Sequence, residues 1–240
     1  DEVNVRYIQN YEHKDFFYLD ADNQNMVFVA PNKGSTSQSS SNTRSELRHM
    51  IRGFNTDVGT HHRKNNFAIK AHKRANKFAS IGGQLQAILK VDHVAVNADH
   101  GAKKPAYSVV VGQIHAGKDK DLVSKGDGFG WGNEPIKIYY KKFPNHDKGS
   151  VFWTYERNLA KDDPNRTDIA HPVWGNTWEN KEDPGAEGIA LGEYFSYAIL
   201  VHENIMYVKF VAQDKPLAVY LLRPAGTSLK LLIVMIASLQ

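Results

Sequence analysis

An all-β sandwich of two antiparallel sheets, of the jelly-roll kind, is the fold this sequence predicts. Three observations point there. Short runs rich in Val, Ile, Phe and Tyr recur between Gly, Pro, Asn and Ser turn signals. Strands and amphipathic helices do not alternate, which argues against a doubly wound α/β sheet. The 240 residues suffice for one large sandwich, and no internal repeat or interdomain linker divides them, so a single domain over 1–240 is expected.

Asp1 to Asp20 mixes aromatic and charged residues without a clean period, and Met26-Val27-Phe28-Val29 follows as a short strand stopped by Pro31. Gly34 to Asn42 is a serine-rich loop that delivers the chain into Arg44-Ser45-Glu46-Leu47-Arg48. There a period of two places Arg44, Glu46 and Arg48 on one face of an expected strand. From Asn66 to Arg74, Phe67, Ile69 and Ala71 alternate with Ala68, Lys70 and His72. Leu85 to Val96 is a longer apolar run whose valines and preceding Gly82-Gly83 favour strand over helix.

Tyr107 to Ala116 is dense in β-branched residues and marks a buried strand. Strict alternation along it sends Val110, Ile114 and Ala116 into the core and Gln113 and His115 outward, on the side of Val109 and Val111. Gly117 to Asn133 carries Gly126, Gly128, Gly130 and Gly132 around Phe129 and Trp131. Pro135 and another strand follow, not an amphipathic helix, so this is a long connection and not a phosphate loop. Ile136 to Lys141 sets Lys137, Tyr139 and Lys141 opposite Ile136, Ile138 and Tyr140. Ser150 to Tyr155 reads as a strand, Leu159 to Asp183 as a turn-rich segment with Trp174 and Trp178, and Gly192 to Tyr197 and Ile205 to Val211 as late strands. Asp162 and Asp163 beside Pro164-Asn165 make a turn, with no calcium-loop spacing.

The hydrophobic fraction of 41% and charged fraction of 23% belong to an ordinary globular chain. With no cysteine, disulfides, thiolate metal sites and cysteine nucleophiles are excluded. The net charge of +4 and the 11 histidines favour an anionic partner: nucleic acid, a membrane surface or an acidic polysaccharide. Leu231 to Ala237, the longest apolar run, is far short of a membrane span. The start at Asp1 in place of Met fits a processed mature form, hence a secreted or periplasmic location.

Three expected strands therefore each present a polar comb. Such a comb suits a substrate whose reacting carbon lies beside a carboxylate, as in a uronic acid polymer. Abstracting that proton builds charge on a group already negative, so Arg, Gln or Asn donors must neutralise it, and a base near neutral pKa must reach the proton. Arg44 and Gln113 fit the first task and His115 the second, if their strands are neighbours. Plainer readings stand beside this one. An Arg–Glu pair on a strand is often a surface ion pair of little worth, and a lone strand histidine is more often structural. A binding module on the same scaffold would use the same basic cleft without cutting. A nucleic-acid binder lacks any recognised motif here, and a glycoside hydrolase needs paired carboxylates where the comb offers only Glu46.

Arg44-Ser45-Glu46-Leu47-Arg48 together with Gln113-Ile114-His115 resembles the paired motifs of the alginate lyases of polysaccharide lyase family 7 and the related family 18. Lys142 to Glu193, with Ser150-Val151-Phe152-Trp153 and Trp174-Gly175-Asn176, is more similar to family 18. The resemblance runs to about Phe210. It implies a concanavalin-like β-jelly roll with a cleft on its concave sheet and endo-acting β-elimination on alginate in a secreted bacterial enzyme. It further implies a monomer that needs no cofactor or metal and binds neither nucleic acid nor membrane. Arg44 and Gln113 would neutralise the carboxylate and His115 would take the C5 proton. Glu46 and Arg48, with Lys137, Tyr139 and Lys141 of the third comb, are the expected substrate-binding residues. One part departs: the family closes on Tyr-Phe-Lys-Ala-Gly-x-Tyr, whose second tyrosine is the general acid, and nothing from Val211 to Gln240 matches it. Tyr220, in Ala218-Val219-Tyr220-Leu221-Leu222, is the only tyrosine of that tail and sits in the wrong setting. Codons for Phe-Lys-Ala read one base late can give Leu-Lys-Leu, and Leu229-Lys230-Leu231 fits a shifted frame, which would put the acid near Ile233 to Ile236.

Overall fold

The computed structural model describes residues 3–22, 24–31, 33–36, 42–96, 107–126, 130–223 and 228–232. In chain order the strands are β1 (Phe17–Leu19), β2 (Met26–Phe28), β3 (Phe67–Ala68), β4 (Ser80–Ile81), β5 (Gly83–Leu89), β6 (Ser108–His115) and β7 (Ile136–Lys141). There follow β8 (Lys148–Glu156), β9 (Asp168–Trp174), β10 (Ile189–Ala190), β11 (Phe195–His202), β12 (Ile205–Ala212), β13 (Ala218–Leu222) and β14 (Ser228–Leu232). A short helix, α1 (Lys120–Ser124), follows β6.

These strands build the jelly-roll sandwich. The larger sheet runs β10-β8-β7-β6-β14-β3-β4 with β9 also on β8, the smaller runs β13-β12-β11-β5, and β1 and β2 form a separate ribbon. Only the β3–β4 pair is parallel among the described ladders. Between the sheets, Ile114, Ile136, Ile138, Val151 and Trp153 share one core with Phe195, Tyr197, Ile199, Met206, Val208 and Phe210. Each such side chain contributes about 1.5–3 kcal/mol by leaving water. Strand β11 shows the cause plainly: Phe195, Tyr197, Ile199 and Val201 are buried, while Ser196, Ala198 and Leu200 alternate with them.

Strand β6 does not alternate strictly. Val109, Val111, Ile114 and Ala116 are all buried in the core, although the first two and last two differ in parity. The register against β7 shifts between Val110 and Gly112, and that β-bulge turns the phase over. Gly112 faces the core, where a Cβ would lie 2.3 Å from the Tyr197 hydroxyl oxygen. That hydroxyl donates to the Val111 carbonyl at 2.7 Å, so the opposite sheet satisfies a backbone acceptor at the bulge. Gln113 and His115 face away from the core as expected, but Val109 and Val111 do not share their side.

Other expectations need correction. Arg44-Ser45-Glu46-Leu47-Arg48 is not a strand: it belongs to no ladder, and β6 is already flanked by β7 and β14. The Asn66–Arg74 alternation shortens to Phe67–Ala68, because Lys70 N leaves the sheet for Glu203 O at 2.9 Å. Strand β5 ends at Leu89, and Val91 and Val94 are buried from an irregular segment. Leu159 to Asp183 hides β9, an edge strand that tolerates Pro172 because it pairs with β8 alone. The late strand expected from Gly192 begins at Phe195, after a glycine at φ +78°. Residues 37–41 of the serine loop, 127–129 of the glycine stretch and 233–240 of the tail lie outside the described residues.

Gly112→Ala is expected to cost about 1–3 kcal/mol by overpacking against Tyr197, and Tyr197→Phe about 1–3 kcal/mol by orphaning the Val111 carbonyl. Because Phe removes the nearest clashing atom, the double variant should cost less than the sum in urea unfolding. Strict additivity would show that the two residues do not share the bulge.

Candidate active site

Beyond the bulge, β6 presents Gln113 and His115 on the outer face of the larger sheet. Gln113 is buried, while the His115 side chain is 50% exposed. Between them lies a carboxylate that the sequence reading passed over. Glu134 Oε1 accepts from Gln113 Nε2 at 2.6 Å and stands 3.9 Å from His115 Nε2. Its other oxygen pairs with Lys137 Nζ, and Lys137 also lies 3.9 Å from Asp168. Burial opposes the charge on Lys137, but Tyr139, Glu134 and Asp168 outweigh it and push the lysine pKa up. Lys137 and Gln113 are register partners across β6 and β7, so the ladder itself brings the two combs together.

The backbone around Glu134 is fixed from both sides. Asn133 O accepts from Ala116 N at 2.7 Å, and Glu134 N and O bond Glu156 Oε2 and N at 2.9 and 3.2 Å. Glu156 is held in turn by Arg166, with contacts of 3.1 and 3.2 Å. Pro135 restricts Glu134 to extended conformations, which suits its place at the mouth of β7. Glu134 and Asp168 escaped the sequence reading for different reasons. The first precedes Pro135 at the end of a glycine-rich connection, and its three-residue spacing from Lys137 was the available signal. The second opens the strand that Pro172 disguised.

The rest of the β7 comb lies under cover. Tyr139 stacks on Phe152 with ring centres 5.1 Å apart, and Trp178 meets both edge-on at 4.7 and 5.3 Å. Burial raises the Tyr139 pKa. Lys141 is buried and donates to the carbonyls of Thr177 and Asn180, so it ties down the same loop. Burial brings its pKa down to about 8. Lys137, Tyr139 and Lys141 do share a face opposite Ile136, Ile138 and Tyr140, yet Tyr139 and Lys141 hold the Trp178 loop instead of meeting solvent.

Arg44 and Arg48 converge on Glu46. Arg48 Nη2 and Nε reach Glu46 Oε1 at 2.7 and 2.8 Å, and Arg44 Nη1 lies 3.7 Å from Oε2. The carboxylate is largely buried, and two guanidiniums on one carboxylate leave a formal excess of one positive charge. Ser45, on the other face, donates to Phe16 O at 2.7 Å and fastens the segment beside β1. The period-two face expected for this segment therefore exists without a sheet. Among the described residues, no group of three or more His, Asp or Glu could hold a metal. No helix among them is long and apolar enough to cross a membrane.

On the tail, β14 is the second neighbour of β6, with Lys230 opposite His115 and Leu231 opposite Ile114. Ile233 to Ile236 lie outside the described residues. Tyr220 has other partners: it donates to Pro172 O and packs against Trp153 and His171, where β13 meets β8 and β9.

Comparison with known proteins gives a consistent result. A family model described as alginate lyase matches residues 1–225. An alginate lyase of Klebsiella pneumoniae is 35% identical over 213 residues, which is 86% of this chain and 63% of that protein. The crystal structure of a Klebsiella pneumoniae alginate lyase superposes with a TM-score of 0.74 at 32% identity, covering 92% of this chain and 75% of that one. The exolytic family 7 alginate lyase AlyA5 of Zobellia galactanivorans gives 0.66 at 38% identity, over 89% and 60% of the two chains. The chain thus spans less than two thirds of the length of two of these relatives.

Lys141 carries a pH-dependent expectation. Its folded pKa of about 8 lies below its ordinary 10.5, so across that window the unfolded chain binds a proton that the folded one lacks. Stability relative to Lys141→Met should therefore rise with pH through the window and be lowest below it. A wild-type-minus-variant difference in urea unfolding that stays flat from neutral to alkaline pH would contradict the burial cost.

Proposed function

The chain belongs to the alginate lyase family, and from that premise we propose an endo-acting lyase. It cuts the 1,4-glycosidic bonds of alginate by β-elimination and leaves unsaturated oligouronates. The observation that carries the reading is the pairing of Gln113 with a half-exposed His115 on the open face of β6. That strand stands mid-sheet, with β7, β8 and β10 on one side and β14, β3 and β4 on the other. A polymer laid across the strands would have sheet on both sides of His115, as internal cutting requires.

In the proposed reaction, Gln113 and the cationic Arg44–Glu46–Arg48 cluster draw charge from the uronate carboxylate, stabilising the anion that develops on it. His115 takes the C5 proton. The electron pair of the C5–H bond forms the C4=C5 double bond, the C4–O bond breaks, and the departing oxygen is protonated by a general acid. The family resemblance gives that last role to a tyrosine of the C-terminal strand. Lys137 is engaged by Glu134 and Asp168, so it serves substrate through the charge balance of the face, and Tyr139 and Lys141 serve it through the Trp178 loop. The proposed chemistry asks for no metal, cofactor or second subunit, so the proposal is of a monomer. A polymeric substrate places the protein outside the cytoplasm, secreted or periplasmic, which fractionation of the source cells would check.

Incubation with guluronate-rich and mannuronate-rich alginate should produce the ultraviolet absorbance of the conjugated uronate, with viscosity falling ahead of product accumulation. Slow viscosity loss with only the smallest products from the outset would mean exolytic action. His115→Ala should lower turnover by roughly 100-fold or more while alginate binding changes little; equal loss of both would refute the base role. Binding without any absorbance would favour a module that holds the polymer uncut.

For the tail, we propose that Leu229-Lys230-Leu231 is the family motif read in a shifted frame. The family match ends at residue 225, three residues short of β14. The C-terminal peptide of protein from the native source should have the mass of the motif-bearing frame. A mass matching the sequence as written would rule the shift out.

A further inference from the structure

Glu134 is the group around which the reactive face is arranged, and nothing in the reaction above employs it. We propose that Glu134 is a positioning residue of the elimination, its carboxylate orienting the Gln113 amide and sharing the positive charge that His115 acquires. The proposal rests on the lyase reading.

The first part follows from donor and acceptor chemistry. An ionised carboxylate only accepts, so the 2.6 Å contact fixes the nitrogen of Gln113 toward Glu134. The amide cannot flip without setting its oxygen against the carboxylate. Its second N–H is thereby held in one direction, as a donor to a substrate carboxylate must be. The second part follows from distance. At 3.9 Å from His115 Nε2, Glu134 Oε1 is too far for a hydrogen bond and near enough to favour an imidazolium over a neutral ring. One oxygen thus serves both groups, while Lys137 holds the other.

The support behind Glu134 is of the kind a positioning residue requires. Its N–H and C=O are both bonded to Glu156, Glu156 is clamped by Arg166, and the preceding Asn133 is tied to Ala116 immediately after His115. The carboxylate is therefore indexed to the end of β6. Among the described contacts, the charged groups near His115 are Glu134 before β7 and, beyond it, Lys137 on β7 with Asp168 of β9, while residue 230 of β14 holds the opposite register position. Among the described contacts, the negative charge nearest the ring is Glu134.

Two variants separate the roles. Glu134→Gln keeps an acceptor for Gln113 and removes the charge; Glu134→Ala removes both. In Glu134→Gln the acidic limb of kcat/KM on alginate should move to lower pH by roughly half a unit or more, because the imidazole loses its neighbouring anion. Glu134→Ala should show the same shift and a plateau kcat lower by roughly tenfold, with KM little changed. An unmoved limb in both variants with wild-type plateaus would overturn the proposal. The His115 ring proton, followed by NMR titration without substrate, should likewise report a lower pKa in both variants. An unchanged titration would overturn the charge-sharing role even if the wild type proved inactive, and inactivity of the wild type alone would count against the lyase reading and not against this one. Thermal unfolding within a few degrees of wild type confirms that the variants fold.

Discussion

The bulge at Val111–Gly112 governs what the outer face of the large sheet can present. A strand without it would place Gln113 and His115 on the side of Val109 and Val111, and those valines belong to the core. Since a one-residue change of phase exchanges every side chain between faces, the polar pair would be buried or the valines exposed. The sandwich avoids both by inserting one residue and capping the result from across the core. Tyr197 of β11 reaches the Val111 carbonyl through the space left by the missing side chain of Gly112. Sheet-to-sheet packing and presentation of the Gln113–His115 pair are thus one arrangement.

Once outward, the pair lies on a face divided in two. On the β7–β8 side, Tyr139, Phe152 and Trp178 form an aromatic cover, and Lys141 binds the carbonyls of the loop above it. Toward Glu134 the face stays polar, and its charges are matched in sequence: Asp168 with Lys137, Lys137 with Glu134, Glu134 with Gln113 and His115. Held in a chain of this kind, each ion limits the movement of the next. The Arg44–Glu46–Arg48 cluster works differently. Its single carboxylate is shared by two guanidiniums, so it keeps a positive excess while Glu46 holds the arginine heads together.

Much of this was legible in the sequence, and the failures have physical causes. The β-branched run at Tyr107 to Ala116 and the alternation of Ile136 to Lys141 identified the two central strands because their side chains are selected by a buried face. The outward pair was identified, but with the wrong companions, since a bulge leaves no mark in a period of two beyond a glycine. Arg44, Glu46 and Arg48 share a face because extended backbone alternates whether or not it is in a sheet; alternation alone could not tell a ladder from an extended loop. Strand β9 was lost to Pro172, an ordinary breaker that an edge strand tolerates. Glu134 was lost because its importance comes from the meeting of three segments distant in sequence, which no local pattern encodes.

The tail shows how separately a fold and a reaction constrain the same strand. Between β6 and β3 the large sheet needs a strand to satisfy their backbone groups, and Ser228–Leu232 supplies it with Lys230 opposite His115. Many sequences meet that demand, because a ladder is made of backbone and asks of side chains only apolar character on the buried side. Protonating a departing oxygen beside His115 asks for one titratable group at one place, which no general β propensity provides. A sequence change in this strand can therefore leave the sandwich closed and the approach of Gln113, His115 and Glu134 intact while removing the last proton transfer. The consequence for the reaction is selective. On the mechanism proposed above, C5 proton abstraction would rest on residues of β6 and the β7 entry and would keep its machinery, and the failure would fall on departure of the glycosidic oxygen.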